Sequence, residues 1–400
     1  MTLSSPTQAR RYCDYPKSKV EHFVPREDLL DEIGQFFQED GTTLWGKRVV
    51  LHGIGGCGKT QLALEYCERS SKAGIFDAIF WIDATSLATI MQCYVTIAAT
   101  VFPDEQAISG HEDVRPILNS IETWGYSTLL VFDNFDGRDL YENHAFHDLV
   151  PHGKTGHLLF TSRNTTAMEL AHFVPTSQMS EDESLELLFS RSQVKRDGGS
   201  EADGTELVSR LGYVALAVDL AAALIGTADV RLGNYMHRLE ICQDLVEDIC
   251  QDLGSSESGV TEIDRYLTVA TFATCEMTIT HIDNGGKTGN IEKKLFTALT
   301  CLDSKEIGEE LLQNQWKDNV SSSSLTRDGS WDSGMFGSVV ANLNALALVT
   351  VRHDETGRLL FALHSVIREW TKLRLRQGGE KVNFPYERGK NRGSIEERTV

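Results

Sequence analysis

The segment from Arg48 to Thr60 contains the residues with the clearest chemistry. A short β-branched run leads into Gly-x-x-x-x-Gly-Lys-Thr, and the loop glycines let backbone N–H groups converge on phosphate oxygens. Lys59 is predicted to reach the β- and γ-phosphates, and the Thr60 hydroxyl to bind Mg²⁺. The alternative is a glycine-rich turn that merely precedes a lysine; the strand-loop-helix context favours nucleotide binding. The predicted nucleotide-binding residues of this segment are Gly53, Gly55, Gly56, Cys57, Gly58, Lys59, Thr60 and Gln61.

A second acidic signal completes the predicted Mg²⁺ site. Leu129 to Asp133 is an apolar strand that ends in a carboxylate, which would face the phosphates from the edge of a sheet. Asp133 is therefore a predicted metal ligand and, with Lys59, a predicted catalytic residue. The next residue is Asn134, which is not an acid able to activate water, although Asp136 is an alternative. Slow turnover is expected.

Two further segments extend this predicted site. Arg163 follows the apolar run that begins at His157, at a position suited to sensing a γ-phosphate; a surface arginine after a strand is the alternative. Val24 and Arg26 precede the first predicted helix, where backbone could flank an adenine ring.

Composition limits the class of partner. The chain has 400 residues, with 38 Lys plus Arg against 58 Asp plus Glu, which gives a net charge of −20. This negative charge argues against sequence-independent binding of nucleic acid by the chain as a whole. Eight cysteines form no CxxC pair, which favours reduced thiols in a cytoplasmic protein. No apolar run approaches the ~20 residues needed to cross a bilayer.

The wider pattern predicts an α/β parallel sheet of the P-loop NTPase type followed by helical structure. Apolar strands are expected at 48–52, 78–82, 127–132 and 157–161, separated by helices. Ser180 and Glu183 form a predicted capping box, and 195–204 a polar loop. Two strands around 354–357 suggest a winged-helix unit. The predicted organisation is a disordered leader (1–20), a nucleotide-binding domain (21–178), a helical domain (179–253), a winged-helix domain (254–377) whose first residues, 254–259, are a linker, and a disordered tail (378–400).

The order of these motifs resembles the NB-ARC module of STAND switch ATPases, a group that includes apoptosome scaffolds, plant resistance proteins and fungal NOD-like receptors. The resemblance covers about residues 20 to 377, and two phrases lean to the fungal branch: Asp133 to Asp136 and His364 to Trp370. The segments that carry the resemblance are 23–27, 53–60, 129–136, 161–163, 185–189, 211–217 and 361–370.

The resemblance implies roles for individual residues. Asp133 would be the Walker B acid and Arg163 sensor 1, while 179–253 and 254–377 would be ARC1-like and ARC2-like domains. His364 would touch the β-phosphate of ADP and lock a closed state; its alternative is a hydrogen-bonded core histidine on a helix. Ala215 stands where the family usually has a proline near the adenine, and Leu363-His364-Ser365 replaces the Met-His-Asp of plant members.

The expected function is a signalling switch. It would bind ADP or ATP with Mg²⁺, hydrolyse ATP slowly, and self-associate or engage partner signalling proteins, in fungal innate immunity or heterokaryon incompatibility. No nucleic acid or membrane partner is expected. The alternatives are a housekeeping P-loop ATPase and a degenerate, truncated scaffold with weak nucleotide binding.

Overall fold

A computed structural model of the chain describes residues 11–17, 20–39, 46–102, 114–137, 148–228, 230–252, 261–302, 307–318, 325–327, 330–353 and 358–377. The chain divides into two compact units, residues 1–178 and 179–400. The predicted linker at 254–259 and the predicted tail at 378–400 lie outside the described residues. Among the helices that the structure describes, none has the length and apolar character of a membrane span.

The first unit is built on a six-stranded sheet in the order β1-β3-β4-β5-β2-β6, and every neighbouring pair is parallel. The four predicted strands are present, so the predicted parallel α/β sheet is confirmed. The elements are β1 (Tyr12–Asp14), α1 (Glu27–Gln38), β2 (Arg48–His52), α2 (Lys59–Ala73), β3 (Ala78–Asp83), α3 (Leu87–Val101), α4 (Arg115–Thr123), β4 (Thr128–Asp133), β5 (Gly156–Ser162) and β6 (His172–Pro175).

Apolar side chains cover both faces of this sheet. Along β2, Val49 and Leu51 pack with the buried residues of α1 and α2, whereas Val50 packs with those of α3 and α4. A strand that is buried on both faces needs apolar residues at every position, which is why these strands read as continuous apolar runs. The charged and hydroxyl-bearing residues are therefore found where the strands end.

The predicted disordered leader (1–20) is wrong at residues 12–14, which form the short strand β1. Tyr12–Asp14 pairs in parallel with β3, and Tyr12 stacks on Trp124 at a centroid distance of 6.3 Å. The Cys13 Sγ atom also lies 3.2 Å from the Ser71 hydroxyl oxygen on α2. Three residues are too few to show a period, and this strand depends on contacts with residues more than 50 positions away. The rest of that predicted leader before residue 11 lies outside the described residues.

The second unit is mainly helical, with two small antiparallel sheets. Its elements are α5 (Glu181–Ser192), α6 (Gly198–Arg210), α7 (Ala215–Ala228), α8 (Leu232–Asp252), α9 (Glu262–Asp283), α10 (Gly286–Cys301), β7 (Ile307–Gly308), α11 (Glu309–Asp318), β8 (Thr326–Arg327), β9 (Ser330–Trp331), α12 (Ser333–Ala345), β10 (Thr350–His353), β11 (Leu359–Ala362) and α13 (Ser365–Gln377).

Side-chain caps set where α5 and α6 begin. The predicted box is confirmed: Ser180 Oγ accepts a hydrogen bond from the Glu183 N–H, and the Ser180 N–H donates to Glu183 Oε2. The predicted loop at 195–204 is wrong beyond Asp197, where α6 begins. The Asp197 carboxylate caps this helix by accepting hydrogen bonds from the N–H groups of Gly199 and Ser200. Gly198 and Gly199 lie in the first turn of this helix, and because glycine has a low helix propensity the sequence pattern predicted a loop.

The predicted pair of strands near the end of the chain is also present. β10 and β11 pair antiparallel, and β7 adds to the other edge of β11. In chain order, α11 and α12 lie between β7 and β10, and α13 follows β11. The winged-helix assignment and the division of the second unit at 253/254 stay predictions.

Candidate functional site

Glycines shape the loop that joins β2 to α2. Gly58 has φ of +97° and forms the N-cap of α2, and Gly56 has φ of +83°, a region that favours glycine. A Cβ atom on Gly53 would lie 2.3 Å from the Thr176 carbonyl oxygen, so a side chain does not fit there. The loop thus leads into the N-terminus of a 15-residue helix, whose first N–H groups and dipole favour an anion.

The Lys59 ammonium lies inside this loop. Its Nζ atom donates hydrogen bonds to the carbonyl oxygens of Gly53 (2.8 Å) and Ile54 (2.7 Å) and lies 3.8 Å from Cys57 Sγ. The Lys59 residue is only 9% exposed and Cys57 2%. A full positive charge is therefore held against the same loop whose N–H groups can bind phosphate, which is the arrangement that a nucleotide requires.

Thr60 and Asp133 meet at the carboxyl ends of the strands. The Thr60 hydroxyl donates a 2.7 Å hydrogen bond to Asp133 Oδ1, which also accepts one of 2.8 Å from the Thr161 hydroxyl. The Asn134 amide donates to Asp133 Oδ2 at 3.1 Å. Asp133 is 5% exposed. A hydroxyl beside a carboxylate is an oxygen donor set that fits Mg²⁺, so Thr60 and Asp133 are the residues that would hold this ion.

Thr161 was missed by the sequence analysis. The sequence feature that could have identified it is a hydroxyl residue at the end of the otherwise apolar strand β5. Thr161 fixes the Asp133 carboxylate through its side chain, and it also accepts a hydrogen bond from the Asn134 N–H at 2.9 Å. This second contact holds Asn134 in a left-handed conformation with φ of +60°.

Arg163 and Asp136 form a pair just beyond β5 and β4. Arg163 Nε donates to Asp136 Oδ2 at 3.0 Å, and the Arg163 backbone N–H donates to Oδ1 at 2.6 Å. The arginine side chain is 42% exposed. The structure therefore places the predicted sensor arginine on the same sheet edge as Asp133, and it gives Asp136 a role in positioning that arginine.

The segment before α1 is fastened at two points. Arg26 is buried, and its guanidinium donates to the carbonyl oxygens of Ser177 (2.7 Å) and Gln178 (3.0 Å). Gln61 on α2 accepts a hydrogen bond from the Val20 N–H at 3.1 Å. Val24 is partly buried between these two points. The contacts of Arg26 and Gln61 fix the backbone of this segment, and a contact of Val24, Arg26 or Gln61 with a nucleotide stays a prediction.

Ala215 and His364 both belong to the second unit. Ala215 is the first residue of α7. His364 is exposed and immediately precedes α13, where its Nδ1 atom accepts a 3.2 Å hydrogen bond from the Val366 N–H. The alternative interpretation of His364 as a core histidine is therefore wrong, because its side chain caps a helix at the surface. The predicted contacts of Ala215 with adenine and of His364 with ADP stay predictions.

Comparison with known proteins gives three results. Residues 26–198 match the sequence model of the NB-ARC domain. A protein of Hyaloscypha variabilis described as a nucleotide-binding leucine-rich repeat (NLR)-like protein is 28% identical over 242 residues, which are 56% of this chain and 24% of that protein. The crystal structure of a STAND protein with a tetratricopeptide repeat sensor, from Pyrococcus horikoshii, superposes with a TM-score of 0.50 at 16% identity, covering 90% of this chain and 44% of that one.

The chain thus spans about a quarter of the NLR-like relative and less than half of the solved structure. At 16% identity the structural likeness shows a shared fold.

Proposed function

Because the chain carries an NB-ARC domain, the nucleotide-binding module of STAND P-loop NTPases, we propose that it is a signalling switch controlled by bound ADP or ATP with Mg²⁺. The observation that carries this proposal is the 2.7 Å hydrogen bond between Thr60 and Asp133 beside the Lys59 ammonium. It brings a phosphate-binding charge and two Mg²⁺-type ligands to one edge of the sheet.

Each residue has a separate task in this proposal. The loop N–H groups and Lys59 hold the β- and γ-phosphates, and Thr60 and Asp133 hold the metal ion. Mg²⁺, when bound, neutralises phosphate charge. Arg163 lies at the same edge and responds to the presence of a γ-phosphate, and Asp136 keeps its guanidinium in place.

The switch itself depends on the second unit. The resemblance to STAND proteins supports a closed state in which the predicted winged-helix domain contacts ADP through His364, and an open state that self-associates with ATP bound. A nucleotide changes the balance only through its different affinities for the two states. Slow ATP hydrolysis returns the open state to the closed one.

The NLR-like relative supports a biological setting for this switch. We propose a role in fungal-type innate immunity or heterokaryon incompatibility, with a second copy of the chain or a partner signalling protein as its target. The match to an NLR-like protein over 56% of the chain supports this setting.

The test is the identity of the nucleotide that co-purifies. Freshly purified protein is denatured by heat, and the released small molecules are identified by mass spectrometry, with Lys59→Ala as the matched variant. ADP in near-stoichiometric amount from the parent and none from the variant supports the switch. Steady ATP turnover above about 1 s⁻¹ would instead indicate a working ATPase, and no bound nucleotide with no measurable affinity would indicate a degenerate scaffold.

A further inference from the structure

Thr161 lies near the carboxyl end of β5, where its hydroxyl contacts the proposed metal ligand Asp133. The Thr161 hydroxyl donates a 2.8 Å hydrogen bond to Asp133 Oδ1. The same oxygen accepts the 2.7 Å hydrogen bond of the Thr60 hydroxyl. Thr60 is itself a proposed ligand of the ion, whereas Thr161 has no part in the proposed contacts with metal and phosphate. Any effect of Thr161 on the metal site therefore acts through Asp133.

Two neighbours fix the direction of the Thr161 hydroxyl. A hydroxyl has one hydrogen to donate and two lone pairs that accept. The Asn134 backbone N–H donates to the Thr161 hydroxyl oxygen at 2.9 Å, so this contact uses a lone pair. An ionised carboxylate can only accept, so the single hydroxyl hydrogen points at Asp133. The hydrogen bond from Thr161 to the carboxylate thus has a defined direction.

Burial strengthens this contact. Thr161 is 0% exposed and Asp133 is 5% exposed. A hydrogen bond to an ionised group is about twice as strong as one between neutral groups, and it is stronger in the protein interior than in water. Removal of the hydroxyl takes one donor from a buried carboxylate. The position of the Asp133 carboxylate is therefore tied to β5.

The backbone of Thr161 is held without the help of its side chain. In the parallel register, Thr161 is paired with Leu51 of β2. The Thr161 carbonyl oxygen accepts a 2.9 Å hydrogen bond from the Phe135 N–H. Valine has nearly the shape of threonine and is favoured in strands. A valine at this position therefore removes the hydroxyl while β5 keeps its backbone contacts, which separates a role in the metal site from a role in the fold.

We propose that Thr161 is a positioning residue for the Mg²⁺ ligand Asp133, an inference that rests on the proposed binding of nucleotide with Mg²⁺. Residues that hydrogen-bond a metal ligand orient it, and their loss typically lowers metal affinity ~10- to 100-fold. The Thr161 hydroxyl sets the position of the Asp133 carboxylate before an ion binds. Nucleotide that binds without Mg²⁺ does not use this carboxylate, so its affinity is independent of Thr161.

The test compares Thr161→Val with the parent protein in two calorimetric titrations of ATP, one with excess Mg²⁺ and one with a chelator. We expect Thr161→Val to bind ATP ~10-fold or more weakly than the parent when Mg²⁺ is present, and as tightly as the parent when it is absent. Thr161→Ser keeps the hydroxyl and is expected to restore most of the lost affinity. In an Asp133→Asn background, the valine substitution is expected to have no further effect on the Mg²⁺ dependence, because the group that Thr161 positions has lost its charge.

Thr128→Val is the matched control. Thr128 is 0% exposed at the opposite end of β4, and its hydroxyl donates a 3.2 Å hydrogen bond to the Tyr126 carbonyl oxygen. This variant also loses a buried hydroxyl, and it is expected to match the parent in both titrations. If Thr161→Val melts below the temperature of the titrations, Thr161→Cys takes its place, because a thiol is only a weak hydrogen-bond donor.

Three results would overturn the inference. The first is an affinity for ATP with Mg²⁺ that equals that of the parent. The second is an equal loss with and without Mg²⁺, which would mean that Thr161 has a structural role. The third is a Thr161→Ser variant as weak as Thr161→Val, or an undiminished effect of valine in the Asp133→Asn background. A parent that binds no nucleotide overturns the proposed function as well, so the two failures are distinct.

Discussion

The Thr60 hydroxyl and the Asp133 carboxylate are joined by a 2.7 Å hydrogen bond across 73 positions of the chain. Strand order explains the contact. β5 lies between β2, which leads to Thr60, and β4, which ends at Asp133, and the side chain of its Thr161 contacts Asp133. Because all three strands are parallel, their carboxyl ends share one edge, where a doubly wound sheet binds its ligand.

Lys59→Ala is expected to abolish measurable ATP and ADP binding while leaving the fold intact. The lysine places its charge against the phosphate loop, where its ammonium donates hydrogen bonds to the carbonyl oxygens of Gly53 and Ile54. Affinity is measured by calorimetric titration and folding by thermal melting. Lys72→Ala is the control, because Lys72 is on the same helix with a side chain that is 74% exposed. Equal ATP affinity in Lys59→Ala and the parent would disprove the assignment of the phosphate loop.

Asp133→Asn is expected to weaken ATP binding in the presence of Mg²⁺ more than ADP binding in its absence. The amide oxygen can still accept the hydrogen bonds of Thr60 and Thr161, but the charge that binds the metal ion is lost. The affinity of each nucleotide is measured with Mg²⁺ and with a chelator. A uniform loss in all four titrations would mean that Asp133 has a structural role only.

The sequence was sufficient for the parts of the site that depend on local spacing. The loop from Gly53 to Thr60 is one continuous segment, and the Asp133 strand shows its type through an unbroken apolar run. The contact of Asp133 with Thr161 depends on strand order, which no local pattern specifies. The same is true of the pairing of Arg163 with Asp136.

The errors in the predicted fold have a related cause. β1 is held by contacts with residues more than 50 positions away. The start of α6 depends on the Asp197 side chain, which compensates for the glycines that follow it. In both cases a specific contact outweighs the local propensity of the segment.

His157 gives the first unit a defined sensitivity to acid. Burial, together with the charge of Lys47, lowers its pKa to about 4. Its Nδ1 atom accepts a hydrogen bond from the Lys47 N–H, and its ring packs on Phe37 and Phe76. Between pH 6.5 and 4 the unfolded chain binds a proton at this histidine that the folded protein does not, so stability falls as the pH falls through this window.

His157→Gln is therefore expected to show a smaller loss of stability between pH 6.5 and pH 5 than the parent, by about 2 kcal/mol at most. The comparison is of urea unfolding curves at the two pH values. His237→Gln, at an exposed position on α8, is the control and should lose as much stability as the parent. Identical losses in His157→Gln and the parent would show that this histidine does not govern the acid response.

Glu276 is expected to be a major determinant of stability in the second unit. It is 8% exposed, and its carboxylate accepts hydrogen bonds from the Trp370 indole N–H (3.0 Å) and from Arg374 Nε (3.2 Å). Glu276→Ala leaves the buried indole N–H without this acceptor and the arginine without this partner, at a cost of about 3 kcal/mol. Asp283→Ala removes a more exposed partner of Arg374 and should cost less than about 1 kcal/mol in urea unfolding. If the two variants lose the same free energy of unfolding, burial does not make Glu276 the more important partner of Arg374.

His364 presents two separable roles, a helix cap and the proposed contact with ADP. As a cap, its Nδ1 atom accepts a hydrogen bond from the Val366 N–H at the start of α13. Asparagine is a favoured N-cap residue, so His364→Asn preserves the cap, whereas His364→Ala removes it. Neither variant keeps an imidazole to donate a hydrogen bond to phosphate.

Both variants are consequently expected to release ADP faster than the parent, by about 10-fold or more if the lost contact is a charge-assisted hydrogen bond of about 1.5 to 3 kcal/mol. Because that contact would be made only in the closed state, both should also show a larger hydrodynamic radius and assemble more readily when ATP is supplied. ADP release is followed with a fluorescent analogue and assembly by light scattering. If only His364→Ala changes, and the change is a lower melting temperature with the parent's ADP release rate, then His364 acts as a helix cap alone and the closed state is held by other residues.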